Sequence, residues 1–488
     1  MPPNPALNHG LHTSIAALRG IGVFLQRWAR LALLGGLYLP PAVAAELPPT
    51  VRTALQQAQI PLGEVAIEVR ELGACSSLLS LNAEQPMNPA SVMKLLTTLA
   101  GLELLGPAYT WPTDAYLDGT LENGVLHGDL ILKGYGNPNL SVEQFGSWLR
   151  EWRQRGLRVI DGNLVLDRRA FTLDAFNPAA FDNDPLRPYN AGADALNLGG
   201  GVLHLRLVPT ENRVQLLAEP PVNGLTLDNQ LHPVKRSRCG EWDDGLRVTV
   251  TGEKLQLAGD FPVVCGERDY YLNPLTPGAF TAAVFRSLWQ ELGGTLSGDW
   301  RDGSAPVSVP IFSRQISAPL AEQIRATNKF SNNLMARQLF LSLSASESQP
   351  GSVARSTAVI HAWLQARGQD FPELVLENGA GLSRRERISA RHLAELLQWA
   401  HDSPLQPEFV ASLPLAGVDG TLKKRYRDQP IAGFAHLKSG TLDNARALAG
   451  YVQSRSGRRW LVVLLINSRM AHSGGAAQDA LLNWVFEQ

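Results

Sequence analysis

Asn88-Pro89-Ala90-Ser91-Val92-Met93-Lys94 runs straight into the apolar stretch Leu95–Leu105, which holds no Pro and meets its first Gly only at Gly101. This spacing predicts a turn that opens a helix over Leu95–Leu105, with Asn88 or Ala90 near the cap and Pro89 where the chain turns in. Side chains three apart share a helix face, so Ser91 and Lys94 meet at the first turn, where backbone N–H groups are free. A serine placed there becomes a nucleophile when a base takes its proton. An amine one turn away is that base when its surroundings keep it neutral. In isolation the same residues also describe an ordinary helix start with an exposed lysine, so the segments around them have to decide.

Upstream, Val65-Ala66-Ile67-Glu68-Val69-Arg70 alternates with period two, Gly73 turns the chain, and Ser77–Leu81 returns. This is a hairpin that leads into the Ser91 helix. Three further strands are expected near the far end, at Gly433–Lys438, Leu448–Arg455 and Trp460–Ile466, before a terminal helix at Gly475–Phe486. The hairpin and the late strands fit one antiparallel sheet covered by helices, which makes residues 45–112 and 272–488 a single discontinuous domain. Between them, 113–271 is rich in short β-like runs such as Leu121–Lys133, Val202–Val208 and Leu246–Leu257, separated by Gly/Pro turns. The expected fold class is α+β, with a β-rich insert of one or two subdomains.

A chain of 488 residues exceeds one simple core, and a net charge of −1 argues against a basic face for nucleic acid. Arg27 and Arg30 precede the apolar run Leu31–Pro40, which ends in Ala42-Val43-Ala44. Residues 1–44 therefore read as a secretory signal. The alternative, an uncleaved anchor, is opposed by a run short of the roughly 20 residues that a span needs. Export permits a disulfide. Of the three cysteines, Cys239 and Cys265 flank a strand-like segment and fit a clip, leaving Cys75 as the odd thiol; three buried free thiols are the other reading. No Cys/His spacing resembles a metal site.

Two other patterns carry chemistry. Ser331-Asn332-Asn333 opens an apolar helix, so a hydroxyl and an amide two residues apart can share a cleft; a plain N-cap at Ser331 is the competing reading. Lys438-Ser439-Gly440-Thr441 ends a strand. It offers a cation and hydroxyls to a carboxylate, removes a side chain at Gly440, and presents the Thr441 N–H beside that of Ser91 for an oxyanion. An ordinary strand-end turn has the same composition.

Taken together and in this order, Ser-x-x-Lys, Ser-x-Asn and Lys-Ser-Gly form the motif set of active-site serine penicillin-binding proteins and serine β-lactamases. The chain resembles the class C low-molecular-mass penicillin-binding proteins, the D-alanyl-D-alanine carboxypeptidase/endopeptidases. The resemblance extends through Gly128-Asp129-Leu130, Gly134-Tyr135-Gly136-Asn137-Pro138, Asn378-Gly379-Ala380-Gly381-Leu382-Ser383-Arg384 and Gly420-Thr421-Leu422. It departs from the pattern at Asn332, where Asp is also frequent, and at Ser439, where Thr is common.

The resemblance implies a transpeptidase-like domain in a periplasmic enzyme, with no metal or organic cofactor. It assigns Ser91 as nucleophile, Lys94 as base, Ser331 and Lys438 as the proton relay, and Asn333 as a substrate-backbone ligand. Ser439, Gly440 and Thr441 are expected to bind substrate, and the N–H groups of Ser91 and Thr441 to form the oxyanion hole. Peptidoglycan stem peptides and their cross-links are the expected substrates, and β-lactams the expected covalent inhibitors. Arg384, Arg385, Glu386 and Arg387 either reach substrate or cover a solvated turn. A loose membrane association stays open, as does the oligomeric state. The rivals are a serine β-lactamase, whose compact chains lack such an insert, and a catalytically inactive peptidoglycan-binding protein.

Overall fold

The five late and early strands pair as one sheet because the last of them is apolar on both faces. The structure is a computed structural model and describes residues 46–488; the signal-like segment lies outside the described residues. Strands β1 (Val65–Glu71), β2 (Ser77–Leu81), β3 (Ala435–Leu442), β4 (Ala445–Gln453) and β5 (Arg459–Asn467) follow the spatial order β3-β4-β5-β1-β2. All four pairings are antiparallel, and β1 aligns Val65 with Ile466 and Glu71 with Trp460.

Alternate residues of β5 feed two separate cores. Leu461, Val463 and Leu465 join one, and Trp460, Val462, Leu464 and Ile466 join the other. That is the period-two signature of a strand buried on both sides. The helices that bear on this sheet and the site are α1 (Pro49–Gln57), α2 (Lys94–Leu105), α3 (Leu320–Lys329), α4 (Asn333–Ser342), α5 (Ala390–Asp402) and α6 (Gly475–Phe486). Buried residues of α1 and α6 line the second core; those of α2 and α5 line the first. No helix among the described residues is long and apolar enough to cross a membrane.

The region after α2 is built on a hairpin, Pro112–Glu122 with Val125–Gly134, closed at Asn123-Gly124, both in the left-handed region. The expected run Leu121–Lys133 thus spans a turn: Asn-Gly is a strong hairpin signal that its apolar flanks conceal. The same holds for Leu246–Leu257, which is two strands, Arg247–Thr251 and Lys254–Pro262, turned at Gly252. The seven-stranded sheet containing the first hairpin also takes Thr295–Leu296, Trp300–Asp302 and Ile311–Ile316. Strand pairing therefore carries this part of the chain to Ile316, past the expected boundary at residue 272.

Two three-stranded sheets complete it, and Trp148 and Trp152 of helix Val142–Gln154 pack with Phe285 and Trp289 as an aromatic cluster. Cys239 and Cys265 form a disulfide, and Cys75 is an exposed thiol.

Candidate active site

The stretch 88–94 folds more tightly than a plain helix start. Ala90–Met93 is a 3-10 turn, and α2 begins at Lys94. The Asn88 Oδ1 accepts the Ala90 N–H at 2.9 Å, and Asn88 Nδ2 donates to the Ser383 carbonyl at 2.7 Å. Ala90 is held at φ 46°, a costly value for a residue with a Cβ. This turn carries the Ser91 Oγ to 3.0 Å from the Lys94 Nζ. Lys94 is fully buried, donates to Asn333 Oδ1 at 2.7 Å, and also donates to the Ala380 carbonyl.

Ser331 does not cap α4. Asn332 does, its side chain accepting the Met335 N–H at 3.0 Å. An Asp at this position would cap the helix equally well. With the cap supplied by its neighbour, Ser331 sits at φ 55° and its Oγ is free to meet Lys438 Nζ at 2.8 Å. Lys438 also donates to the Ser439 carbonyl at 2.8 Å. Asn333 gives one amide N–H to the Tyr189 carbonyl at 3.2 Å.

Gly440 lies against the nucleophile turn: a Cβ there would stand 2.8 Å from both the Ser91 N and the Pro89 carbonyl oxygen. This close approach brings the end of β3, with Ser439 and Thr441, beside Ser91. The seven expected residues Ser91, Lys94, Ser331, Asn333, Lys438, Ser439 and Gly440 are thus joined by contacts, and Thr441 follows on the same strand, in register with Arg446.

Burial is the main force on both amines. It pulls Lys94 well below the ordinary lysine range, with Lys438 and Arg337 pushing the same way and Glu386 opposing. Burial alone pulls Lys438 down to about 7. Arg337 falls to about 10 for the same reason and remains a cation near neutrality.

The charged run 384–387 splits four ways. Arg384 pairs with Asp443 at 3.0 Å and bonds the Phe181 carbonyl, Arg385 pairs with Glu377, and Arg387 bonds the Arg384 and Glu386 carbonyls. Only Glu386 of these four turns inward and is fully buried.

Sequence reasoning missed three contributors. The Ala380 carbonyl is a backbone group, and only its place between two left-handed glycines, Gly379 and Gly381, marked it. Thr421 places its hydroxyl 3.2 Å from the Ser439 Oγ. Its loop is tied back by a half-buried pair, Lys329 Nζ to Asp419 at 2.6 Å. A cavity of 690 Å³, lined by Phe176, Phe181, Arg337, Asn378, Leu382 and Arg384 among others, lies beside the 378–384 loop.

A five-stranded antiparallel sheet flanked by helices, with a Ser-x-x-Lys turn, a Ser-x-Asn loop and a Lys-Ser-Gly strand end, defines the class of active-site serine penicillin-binding proteins and serine β-lactamases. The chain belongs to the D-Ala-D-Ala carboxypeptidase 3 (S13) family, whose profile matches residues 48–488. It is a serine-type D-Ala-D-Ala carboxypeptidase in class. It is 28% identical over 428 residues to the D-alanyl-D-alanine carboxypeptidase of Actinomadura sp., covering 83% of this chain and 78% of that one. Penicillin-binding protein 4 of Haemophilus influenzae shares the fold: TM-score 0.75, 22% identity, 90% of this chain and 99% of that chain covered. The same Haemophilus protein complexed with a β-lactam aligns with TM-score 0.71 and 22% identity, over 90% of this chain and 100% of that one.

Proposed function

We propose that Ser91 attacks the carbonyl of the penultimate D-Ala of a peptidoglycan stem peptide, expels the terminal D-Ala, and is freed when water hydrolyses the acyl-enzyme. The observation that carries this reading is the bonding of the Lys94 amine. A neutral amine has two N–H donors and one lone pair. Asn333 Oδ1 and the Ala380 carbonyl only accept, so they take both N–H groups and leave the lone pair to the Ser91 hydroxyl. Ser91 then gives its proton to Lys94 as its Oγ bonds the carbonyl carbon. The C–N bond breaks with a proton delivered to the leaving amine through Ser331 and Lys438, which are 2.8 Å apart.

The N–H groups of Ser91 and Thr441 receive the oxyanion. The remaining Asn333 N–H binds a substrate carbonyl. Lys438, with the hydroxyls of Ser439, Thr441 and Thr421, receives the terminal carboxylate. A β-lactam acylates Ser91 by the same route, in keeping with the Haemophilus complex. The 690 Å³ cavity beside the site supports cross-linked peptides as a further substrate. The signal-like N-terminus and the disulfide support work in the periplasm.

A labelled penicillin tests the assignment. Peptide mapping should find the label on Ser91, and Ser91→Ala should abolish labelling and lower peptide turnover by roughly 10⁴-fold or more. Label on another serine overturns it. Rapid release of hydrolysed penicillin would instead favour a β-lactamase. Mass spectrometry of a defined cross-linked muropeptide reads the endopeptidase activity directly.

A further inference from the structure

Glu386 is a fully buried carboxylate that the catalytic scheme does not use. Its Oε1 accepts three consecutive backbone N–H groups, from Glu377 at 3.0 Å, Asn378 at 2.9 Å and Gly379 at 3.2 Å. Its Oε2 is buried and has no hydrogen-bond partner. Three donors converging on one oxygen form an anion nest, and they fix the turn that continues into Ala380.

That turn is also tied to α2. The Thr97 hydroxyl donates to the Gly379 carbonyl at 2.6 Å, and Lys94 Nζ donates to the Ala380 carbonyl. Within the turn, Asn378 Oδ1 accepts the Ala380 N–H at 2.9 Å. The next residue, Gly381, lies so close to the nucleophile turn that a Cβ would sit 1.9 Å from the Ala90 carbonyl oxygen. One carboxylate thus anchors the segment that touches both the base and the backbone of the nucleophile.

Resting on the Ser91–Lys94 reading above, we propose that Glu386 is a positioning residue for acylation: its carboxylate fixes the 377–380 turn, and through the Ala380 carbonyl it fixes the direction in which the Lys94 amine offers its lone pair to Ser91. The charge of Glu386 gives it a second task. The charged groups facing Lys94 are Lys438 on β3, Arg337 on α4 and Glu386 on the loop. The first two and burial all weaken the amine as a base. Burial pushes the Glu386 carboxyl up, and the three backbone N–H groups and Lys94 hold it back toward the ionised form. As an anion it opposes the other three, and a base must stay basic enough to accept the proton.

The test is acylation kinetics with a labelled penicillin on the full chain, normalised to titrated active sites. Glu386→Gln keeps the shape and loses the charge. It should lower the first-order acylation rate by about 10²-fold, the scale of a misplaced catalytic group, with the non-covalent dissociation constant unchanged. The acid limb of its pH profile should move to lower pH, because removal of an anion makes the protonated Lys94 less stable.

A purely structural role would lower the titre and the melting temperature, and leave the rate per active site and the limb in place. If Glu386→Gln does not accumulate folded, Glu386→Asp is read instead: it keeps the charge but shortens the reach. It should lose rate with its acid limb unmoved. Either variant acylating within twofold of the parent at an unchanged pH midpoint overturns the proposal. Mapping the label separates the two readings: label on a serine other than Ser91 defeats the assignment of the nucleophile, whereas label on Ser91 at parental rates in the variants defeats only the role of Glu386.

Discussion

At the scale of single residues, the two buried lysines share a cleft and do different work. In the proposed scheme Lys94 must hold a free lone pair, whereas Lys438 meets a substrate carboxylate and the Ser331 hydroxyl, 2.8 Å away. Lys94→Arg keeps a charge that is not given up near neutrality and loses the base, so acylation should collapse. Lys438→Arg should keep partial acylation, with the loss weighted toward peptides that carry a free terminal carboxylate. Rates for a carboxylated peptide and its terminal amide read the difference; near-parental acylation by Lys94→Arg would refute this division.

The pH dependence has a definite sign. Acylation should rise with pH as Lys94 loses its proton. In Lys438→Gln the rise should move to higher pH, because a neighbouring cation that holds Lys94 down is gone. Most of these residues are legible in the sequence, because Ser91, Lys94, Ser331, Asn333 and Lys438 sit in short spaced motifs. Glu386 is not. In sequence it is one charge among Arg384, Arg385 and Arg387, and only the fold turns it inward. The cap at Asn332 is likewise a matter of one left-handed residue before it, which local composition does not announce.

At the scale of elements, the 378–384 loop acts as a fitted part. Gly381 has φ 80° and no room for a side chain, so Gly381→Ala must move either this loop or the Ala90–Met93 turn. Labelling of Ser91 should fall by about 10²-fold, with circular dichroism close to that of the parent. Labelling at the parental rate would show that the close packing here is dispensable. The elements that sequence reading recovers well are those with sustained patterns, such as β5 with its unbroken apolar run. It merges hairpins wherever a tight turn is hidden between apolar flanks, as at Asn123-Gly124 and at Gly252. In both places β-propensity on either side outweighs two turn residues.

At the scale of the whole molecule, the disulfide and the active site lie in different cores, since Cys265 packs with the aromatic cluster and Lys94 does not. Cys239 and Cys265 are 26 residues apart in sequence, and a loop of that length implies a stabilisation of about 3.5 kcal/mol. A Cys239→Ser, Cys265→Ser double variant should unfold at lower denaturant concentration while acylating with penicillin at the parental rate; slowed acylation of its folded form would tie the clip to the site. Thiol counting on the denatured, unreduced parent should find one group, Cys75.

The strand order of the sheet also sets a schedule. Its middle strand, β5, is among the last segments to leave the ribosome, and its partner β1 among the first. At ordinary elongation rates the Ser91 turn waits on the order of half a minute for the strand that completes its support. A chain halted before Arg459 is therefore expected to leave labelled penicillin unbound. Until that strand is in place, the Ser91 turn lacks the middle of the sheet it rests on.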